Sequence, residues 1–509
     1  MHFKHVASVA AALALCAPSA MAQKSKDTLR FAVNNPFAVL SSYHLPTDEA
    51  ALLYREMYDQ LITFNEYEQK IQGQLAKSWT VQPGVYEFDL KEGITFHNGN
   101  KFDADDVVAT LKYASDPATK LTFKNRYDWM KTIEKLGPYK VRITAAEPSS
   151  AHMSLLAYRI RIWDAETMAK VGDVEDYGRL TPVGTGIYKA VQVDKNTGTI
   201  IERNPNYKTD PEKTAPIGRV HAIPMPDQQT QIAQFMTGGL DLLRNITPDT
   251  AKALGANPNT TITNLPSPSF FYMMLDAAGV SGNKALTDAR VRRAIFMAID
   301  RDSIMKYLVP GGEVATKMDG MCFKETIDCK INVKAPDYNP AEAKKLLAEA
   351  GYPNGFEFEY SVFTPFMNLG QAVAGDLRKI GIIAKLQPVD LALYRRKQGA
   401  GELQGLSVMT PTASHPDAWS ILGILYGGPA FQYYKDKQIS DAMEAGEKEF
   451  DQAKRVDLYA KVFDRTNTES YIFPVTSIPT VLAHTKEVGV GKDKYAAGDV
   501  WAASFFWNK

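Results

Sequence analysis

Tyr86-Glu-Phe-Asp-Leu-Lys-Glu-Gly-Ile-Thr-Phe-His-Asn-Gly-Asn-Lys-Phe-Asp-Ala-Asp-Asp-Val107 is the stretch from which the fold of this chain is read. Tyr86, Phe88 and Leu90 alternate with Glu87, Asp89 and Lys91, so one face of a strand is apolar and the other charged. Glu92-Gly93 turns the chain, and Ile94 and Phe96 continue the apolar face. Asn98-Gly99 offers the positive φ of a tight turn. Asp103 is placed to cap a helix, with Asp106 three residues on and Val107, Val108 and Leu111 opening its buried side.

The same grammar extends in both directions. Residues 28–33 read as a short strand that Asn34-Asn35-Pro36 breaks, and residues 49–58 have helical spacing with Leu52, Leu53, Tyr54 and Met57 to bury. Residues 229–235 form a helix that ends near Gly238-Gly239. Asp288 is expected to cap a helix whose face is Val291, Ile295, Ala298 and Ile299, with Pro310-Gly311-Gly312 closing the element. Asn339-Pro340 starts another helix, with Leu346 and Leu347 buried and Gly351 at its end. Phe356, Phe358 and Tyr360 alternate with Glu357 and Glu359 as a strand, then residues 368–379 and 382–386 repeat helix and strand. Helices alternating with strands imply an α/β fold with a largely covered sheet.

The 86–107 stretch, together with Thr181-Pro-Val-Gly-Thr-Gly-Ile-Tyr-Lys189, Asn204-Pro-Asn-Tyr207 and Asp288-Ala-Arg-Val-Arg-Arg-Ala-Ile295 onward, closely resembles the bacterial solute-binding proteins of the peptide/nickel family, family 5, which feed ABC importers. The resemblance runs along almost the whole mature chain. It implies a two-lobed periplasmic-binding-protein fold with an additional subdomain in the N-terminal lobe and the ligand cleft between lobes. On that pattern residues 1–22 are a signal peptide, 23–70 begin lobe I, 71–180 form the extra subdomain and 181–270 complete lobe I. Residues 271–480 form lobe II, and 481–509 return to lobe I through two or three strands that cross between lobes as a hinge.

The beginning of the chain reads as a secretory leader. His2, Lys4 and His5 precede an apolar run over residues 6–17, and Ala20-Met21-Ala22 supplies a small-x-small cleavage pattern before Gln23. The run is too short to span a bilayer, and no later segment approaches ~18 continuous apolar residues. A soluble periplasmic protein is expected. Cys16 follows Leu15, where lipoprotein signals carry a small residue, so an acyl anchor there is disfavoured. Removing the leader leaves Cys322 and Cys329 as the thiols, and in an oxidising compartment this pair reads as a small disulfide loop with a loop-entropy term of ~2–3 kcal/mol. A metal site is the alternative, although no histidine lies near either cysteine.

Lys+Arg and Asp+Glu both total 58 over 509 residues, so no basic excess points to nucleic acid or anionic lipid. The length exceeds one ordinary core, and 45% hydrophobic with 23% charged residues is a globular composition. No H-E-x-x-H, G-x-S-x-G, C-x-x-C or P-loop pattern occurs. Gly184 and Gly186 lack the third glycine of a dinucleotide loop, since Lys189 stands there. The histidines of the mature chain, His44, His97, His152, His221, His415 and His484, show no metal-ligand spacing. No cofactor and no catalytic residue is expected.

The resemblance implies instead a carrier whose cargo is a peptide or peptide-like solute, with ABC permease subunits and their ATPase as partners. An opine, glutathione, a sugar conjugate or a metal chelate are the alternatives within the class. A periplasmic hydrolase or chaperone on the same scaffold is the alternative outside it. The loop Met409-Thr-Pro-Thr-Ala-Ser-His-Pro-Asp-Ala-Trp419 is the expected heart of the cleft. Peptide-binding members carry a tryptophan and, three positions on, an ammonium-pairing aspartate there. This chain has Met409 and Thr412. The dipeptide branch's carboxylate-binding arginine is also missing from Thr364-Pro-Phe-Met-Asn-Leu-Gly-Gln371. Further cleft candidates are Asn34, Asn35, Tyr43, Tyr394, Arg395 with Arg396, His415, Asp417 and Trp419. Arg395 and Arg396 read equally as solvated helix residues, Trp419 as core and His415 as a loop-shaping residue. Asp417 is the remaining partner for a cation.

Overall fold

A computed structural model of the chain describes residues 27–509 except 36–37, 172–173, 181, 268, 412–416 and 495–499, and gives the backbone alone at 48, 125, 175 and 407–411. The leader, Cys16, the Gln23 terminus, Thr412 and His415 lie outside the described residues.

Residues 86–107 form the elements that their pattern predicts. Val85–Leu90 is a strand with Tyr86, Phe88 and Leu90 fully buried, and it lies between Ala76–Gln82 and Lys140–Ala145. Met130–Gly137 completes a four-stranded antiparallel sheet. Gly99 takes φ +93° in the tight turn, where its N–H donates to Phe96 O at 2.9 Å. Asp103 accepts from the Asp105 N–H at 2.7 Å, while Asp106 Oδ2 accepts from the Asp103 N–H at 2.8 Å. Both ends of this reciprocal cap satisfy backbone donors that the helix itself cannot. The helix, Ala104–Ser115, then buries Val107, Leu111 and Ala114.

Two motifs that are far apart in sequence dock on one another. The His97 N–H donates to Gly184 O at 2.8 Å, its Nδ1 accepts from the Gly184 N–H at 3.1 Å, and its Nε2–H donates to Gly186 O at 3.0 Å. A carbonyl can only accept and an amide N–H only donate, so the ring is the neutral Nε2–H tautomer. Gly184 and Gly186 run so close to Met57 O and Glu56 O that a Cβ would sit 2.0 and 2.3 Å from them. The Gly-Thr-Gly turn is therefore a packing device.

The first lobe is built on a seven-stranded mixed sheet. Thr28–Val33 is central, parallel to Arg219–Pro224 and Leu242–Arg244. Gly198–Arg203 and Tyr188–Asp194 extend one side. On the other side Thr480–Thr485, from near the chain's end, lies between Leu242–Arg244 and Thr260–Leu265. The second lobe carries a five-stranded sheet in the order Ile383–Val389, Glu357–Phe363, Gly405–Pro411, Ser269–Leu275, Ile472–Ser477. Helices such as Pro340–Glu349 and Met367–Arg378 alternate with its strands, and the latter packs on the Val362 side chain through Gly370. Among the described residues the chain leaves one sheet for the other twice, after Leu265 and after Ser477. These passages are neighbours, because the Ile478 N–H donates to Ser269 O at 2.8 Å.

The helix read onward from Asp288 is in fact two helices, Ala289–Met297 and Arg301–Leu308. Asp300 causes the break, since its carboxylate accepts from the Ser303 N–H at 3.0 Å and so starts a new helix. Cys322 and Cys329 are disulfide-bonded, with Cα atoms 6.0 Å apart. Among the described residues no helix is long and apolar enough to cross a membrane, and no group of three potential ligands could hold a metal ion.

Candidate functional site

The residues singled out from sequence are placed at several points around the lobes. Asn34 and Asn35 follow the central strand, where their N–H groups donate to the Glu49 carboxylate at 2.7 and 3.0 Å. Tyr43 is buried edge-on to Trp163, and its hydroxyl donates to Arg161 O at 2.7 Å. In lobe II, Tyr394 packs against Phe363 and accepts from Gln398 Nε2 at 2.7 Å. The Arg395 guanidinium lies over the Tyr394 ring, and Arg396 pairs with Glu402 at the surface. Met409 sits in a strand opposite Phe271. Asp417 is buried and caps helix Ala418–Tyr426 by accepting from the Ser420 N–H at 2.7 Å, and burial raises its carboxyl above the ordinary range. Trp419, the second residue of that helix, is half-buried against the core of lobe II.

Asp417 marks the seam between lobes. Ser154 of the helix Ala151–Tyr158 is within hydrogen-bonding reach of it. Along the same seam the Ser150 N–H donates to Glu447 O at 2.8 Å and Gln69 Nε2 donates to Glu325 O at 2.7 Å. One turn beyond Ser154, the Tyr158 hydroxyl donates to Glu66 at 3.4 Å. Tyr158 opens onto a small pocket of about 60 Å³, open on one side, whose walls include Arg55, Glu66, Arg161, Lys213, Asp493 and Trp501.

The pocket and the ground behind it hold four guanidinium groups that the sequence reading passed over. Arg55 is on helix Asp48–Met57, Arg126 ends a short 3-10 turn, and Arg159 and Arg161 flank Ile160 just after helix Ala151–Tyr158. Among the described residues none of the four forms an ion pair. Arg159 Nη2 and Arg161 Nε are buried without any hydrogen-bond partner, and Arg161 as a whole is 3% exposed. Asp493 lines the pocket with Arg55 and Arg161, and Asp59 attracts Arg161, and the carboxylates around the cluster also serve other groups. Glu56 pairs with Lys213 at 2.7 Å, Asp59 accepts from Gln74 and Thr185, and Glu66 accepts from Tyr158.

Burial, and then the charge of Arg126, pulls Arg159 down to about 9; burial, and then Arg55, pulls Arg161 down to about 10. Both remain cations at neutral pH. Aromatic faces provide part of their environment: Arg55 lies 4.2 Å from the Trp501 centroid, Arg126 3.8 Å from Phe123 and Arg161 5.3 Å from Tyr54. Such contacts contribute ~0.5–2 kcal/mol each, whereas desolvating an unpaired charge costs several kcal/mol. The aromatic faces do not offset that cost. A bound anion would.

Comparison with known proteins agrees with this architecture. Residues 70–433 match the profile of the bacterial extracellular solute-binding proteins, family 5. The chain is 28% identical over 507 residues to the glutathione-binding protein GsiB of Escherichia coli K12, covering 96% of each. Among solved structures, HbpA2 of Haemophilus parasuis superposes with a TM-score of 0.79 at 21% identity, covering 95% of this chain and all of that one. The periplasmic binding protein DppA of Helicobacter pylori, in complex with the peptide STSA, gives 0.73 at 23% identity, covering 96% of this chain and all of that one. At that identity the structures establish a shared two-lobed fold.

Proposed function

This chain belongs to family 5 of the bacterial extracellular solute-binding proteins, and from that premise we propose that it captures a peptide or peptide-like solute in the periplasm and delivers it to the permease of an ABC importer. The observation that carries the reading is a body whose two sheets are joined through two adjacent chain passages, with a pocket in lobe I walled by residues of that lobe alone. Closing two lobes on a solute excludes water and strengthens every polar contact made there. A carrier needs no chemistry of its own, and we assign no catalytic role to any residue.

Within the class, a glutathione-sized cargo is favoured over a plain dipeptide. The relative from E. coli is named for binding glutathione. Met409 and Thr412 stand where a tryptophan and an aspartate would serve a dipeptide ammonium, and no arginine lies in residues 364–371 for its carboxylate. The test is a thermal-stability screen of purified protein with glutathione, dipeptides, longer peptides and opines. Ligand at a hundred times its Kd adds about 2.7 kcal/mol to folding stability. Glutathione is expected to raise the melting temperature while dipeptides leave it unchanged. Stabilisation by none of these solutes, or turnover of any of them, would count against the carrier reading.

A further inference from the structure

We propose that Arg55, Arg126, Arg159 and Arg161 form a carboxylate-receiving subsite in lobe I, which selects peptides bearing two or more carboxylates over peptides whose termini are blocked. The proposal rests on the carrier reading and deepens it by naming the charge class of the cargo.

The chain contains its own comparison. Arg292 and Arg301 are also buried, and their role is structural. Arg301 Nη1 donates to Met318 O at 2.7 Å and to Pro474 O at 3.1 Å, and Nη2 to Pro336 O at 3.4 Å. Arg292 donates to Leu286 O and Thr287 O at 2.9 Å and to Glu469 O at 2.7 Å. A guanidinium buried for the sake of the fold is thus tied to carbonyls in this protein. Arg159 and Arg161 leave donors unused in the same kind of surroundings.

Placement supports the same conclusion. The Arg161 main chain is fixed by the Tyr43 hydroxyl on its carbonyl and by a bridge to Gln60, so its side chain is presented from a rigid base. Arg55 and Arg161 both line the pocket, and Arg126 is close enough to Arg159 to repel it. A planar guanidinium offers parallel N–H donors that match a carboxylate's two oxygens, and repulsion within the cluster is relieved when an anion enters. Glu56, Glu66 and Asp493 also line the pocket and Asp59 attracts Arg161, but none of the four guanidinium groups forms an ion pair among the described residues, and several such cations suit more than one carboxylate. They also replace, from the opposite lobe, the arginine missing from residues 364–371.

The experiment is titration calorimetry of the mature protein with glutathione, which has two carboxylates, and with its dimethyl ester, together with thermal melting of the unliganded variants. For the wild type the ester is expected to bind at least a hundredfold more weakly. Arg159→Gln and Arg161→Gln should each weaken glutathione at least tenfold, and Arg219→Gln, at an exposed pair, should leave it unchanged. Without ligand, Arg159→Gln should melt no lower than the wild type, because it removes an unpaired charge; an arginine serving the fold would lower the melting temperature. If Arg161→Gln fails to fold, Arg55→Gln carries the same expectation. Equal binding of glutathione and its ester, or tight binding by the glutamine variants, would overturn the subsite and leave the carrier reading standing. Failure of the wild type to bind either form, or any peptide in the stability screen, would overturn both.

Discussion

His97 shows how one side chain can join two motifs. Its ring accepts from one glycine of the Gly184-Thr-Gly186 turn and donates to the other, which requires the neutral form. Burial holds its pKa down at about 4, below the ordinary value of 6.5. A folded-state pKa below the unfolded one means that the unfolded chain takes the proton first. The stabilisation is therefore complete above pH 6.5 and is lost as the pH falls toward 4, with a ceiling of about 3 kcal/mol. His97→Gln, which keeps a donor and an acceptor without titrating, should flatten the acid limb of a stability–pH curve. His152 and Asp106 titrate in the same range, so the difference between wild type and variant is the readout. Identical acid limbs would contradict this role.

At the residue scale the sequence was least informative about the site. The strand–turn–helix stretch displayed Gly99 and Asp103 openly, because turn and cap preferences are local. Arg159 and Arg161 gave no signal, since an arginine's meaning depends on whether a carboxylate faces it, and that is decided by elements distant in sequence. Asp417 illustrates the same point. Its cap on Ser420 is local, whereas its closeness to Ser154 follows only from the meeting of the lobes.

At the scale of elements, capping and periodicity set the boundaries. Asp103 and Asp106 close the start of Ala104–Ser115, and removing such a cap costs ~1 kcal/mol, up to ~2. Asp103→Ala should lower the stability of the first lobe by that amount in urea unfolding, and Asp103→Asn should recover most of it. Equal loss with both variants would show that charge near the helix start, not the cap hydrogen bond, is what matters. The apolar face of residues 288–301 predicted one helix because Val291, Ile295 and Ile299 keep their spacing across the break. Periodicity survives such an interruption, and the cap at Asp300 was the sign that one helix ends and another begins.

At the scale of the whole molecule, the alternation of helices and strands was enough to imply an α/β fold, and the family resemblance supplied the two lobes. What could not be read was which strands share a sheet. Thr480–Thr485 pairs with Thr260–Leu265, some two hundred residues earlier, and Ser269–Leu275 pairs with Ile472–Ser477. These pairings set the two chain passages side by side, and contacts from Gln69 to Glu325 and from Ser150 to Glu447 also join the lobes. Two bodies joined in this way are expected to rotate about these two passages, with cargo favouring the closed arrangement through contacts made in that state alone.

Small-angle scattering of the purified protein with and without saturating glutathione tests that account most directly. A smaller radius of gyration in the presence of glutathione is the result expected of a carrier that closes on its cargo. An unchanged profile, at a concentration where calorimetry shows the site to be full, would contradict it.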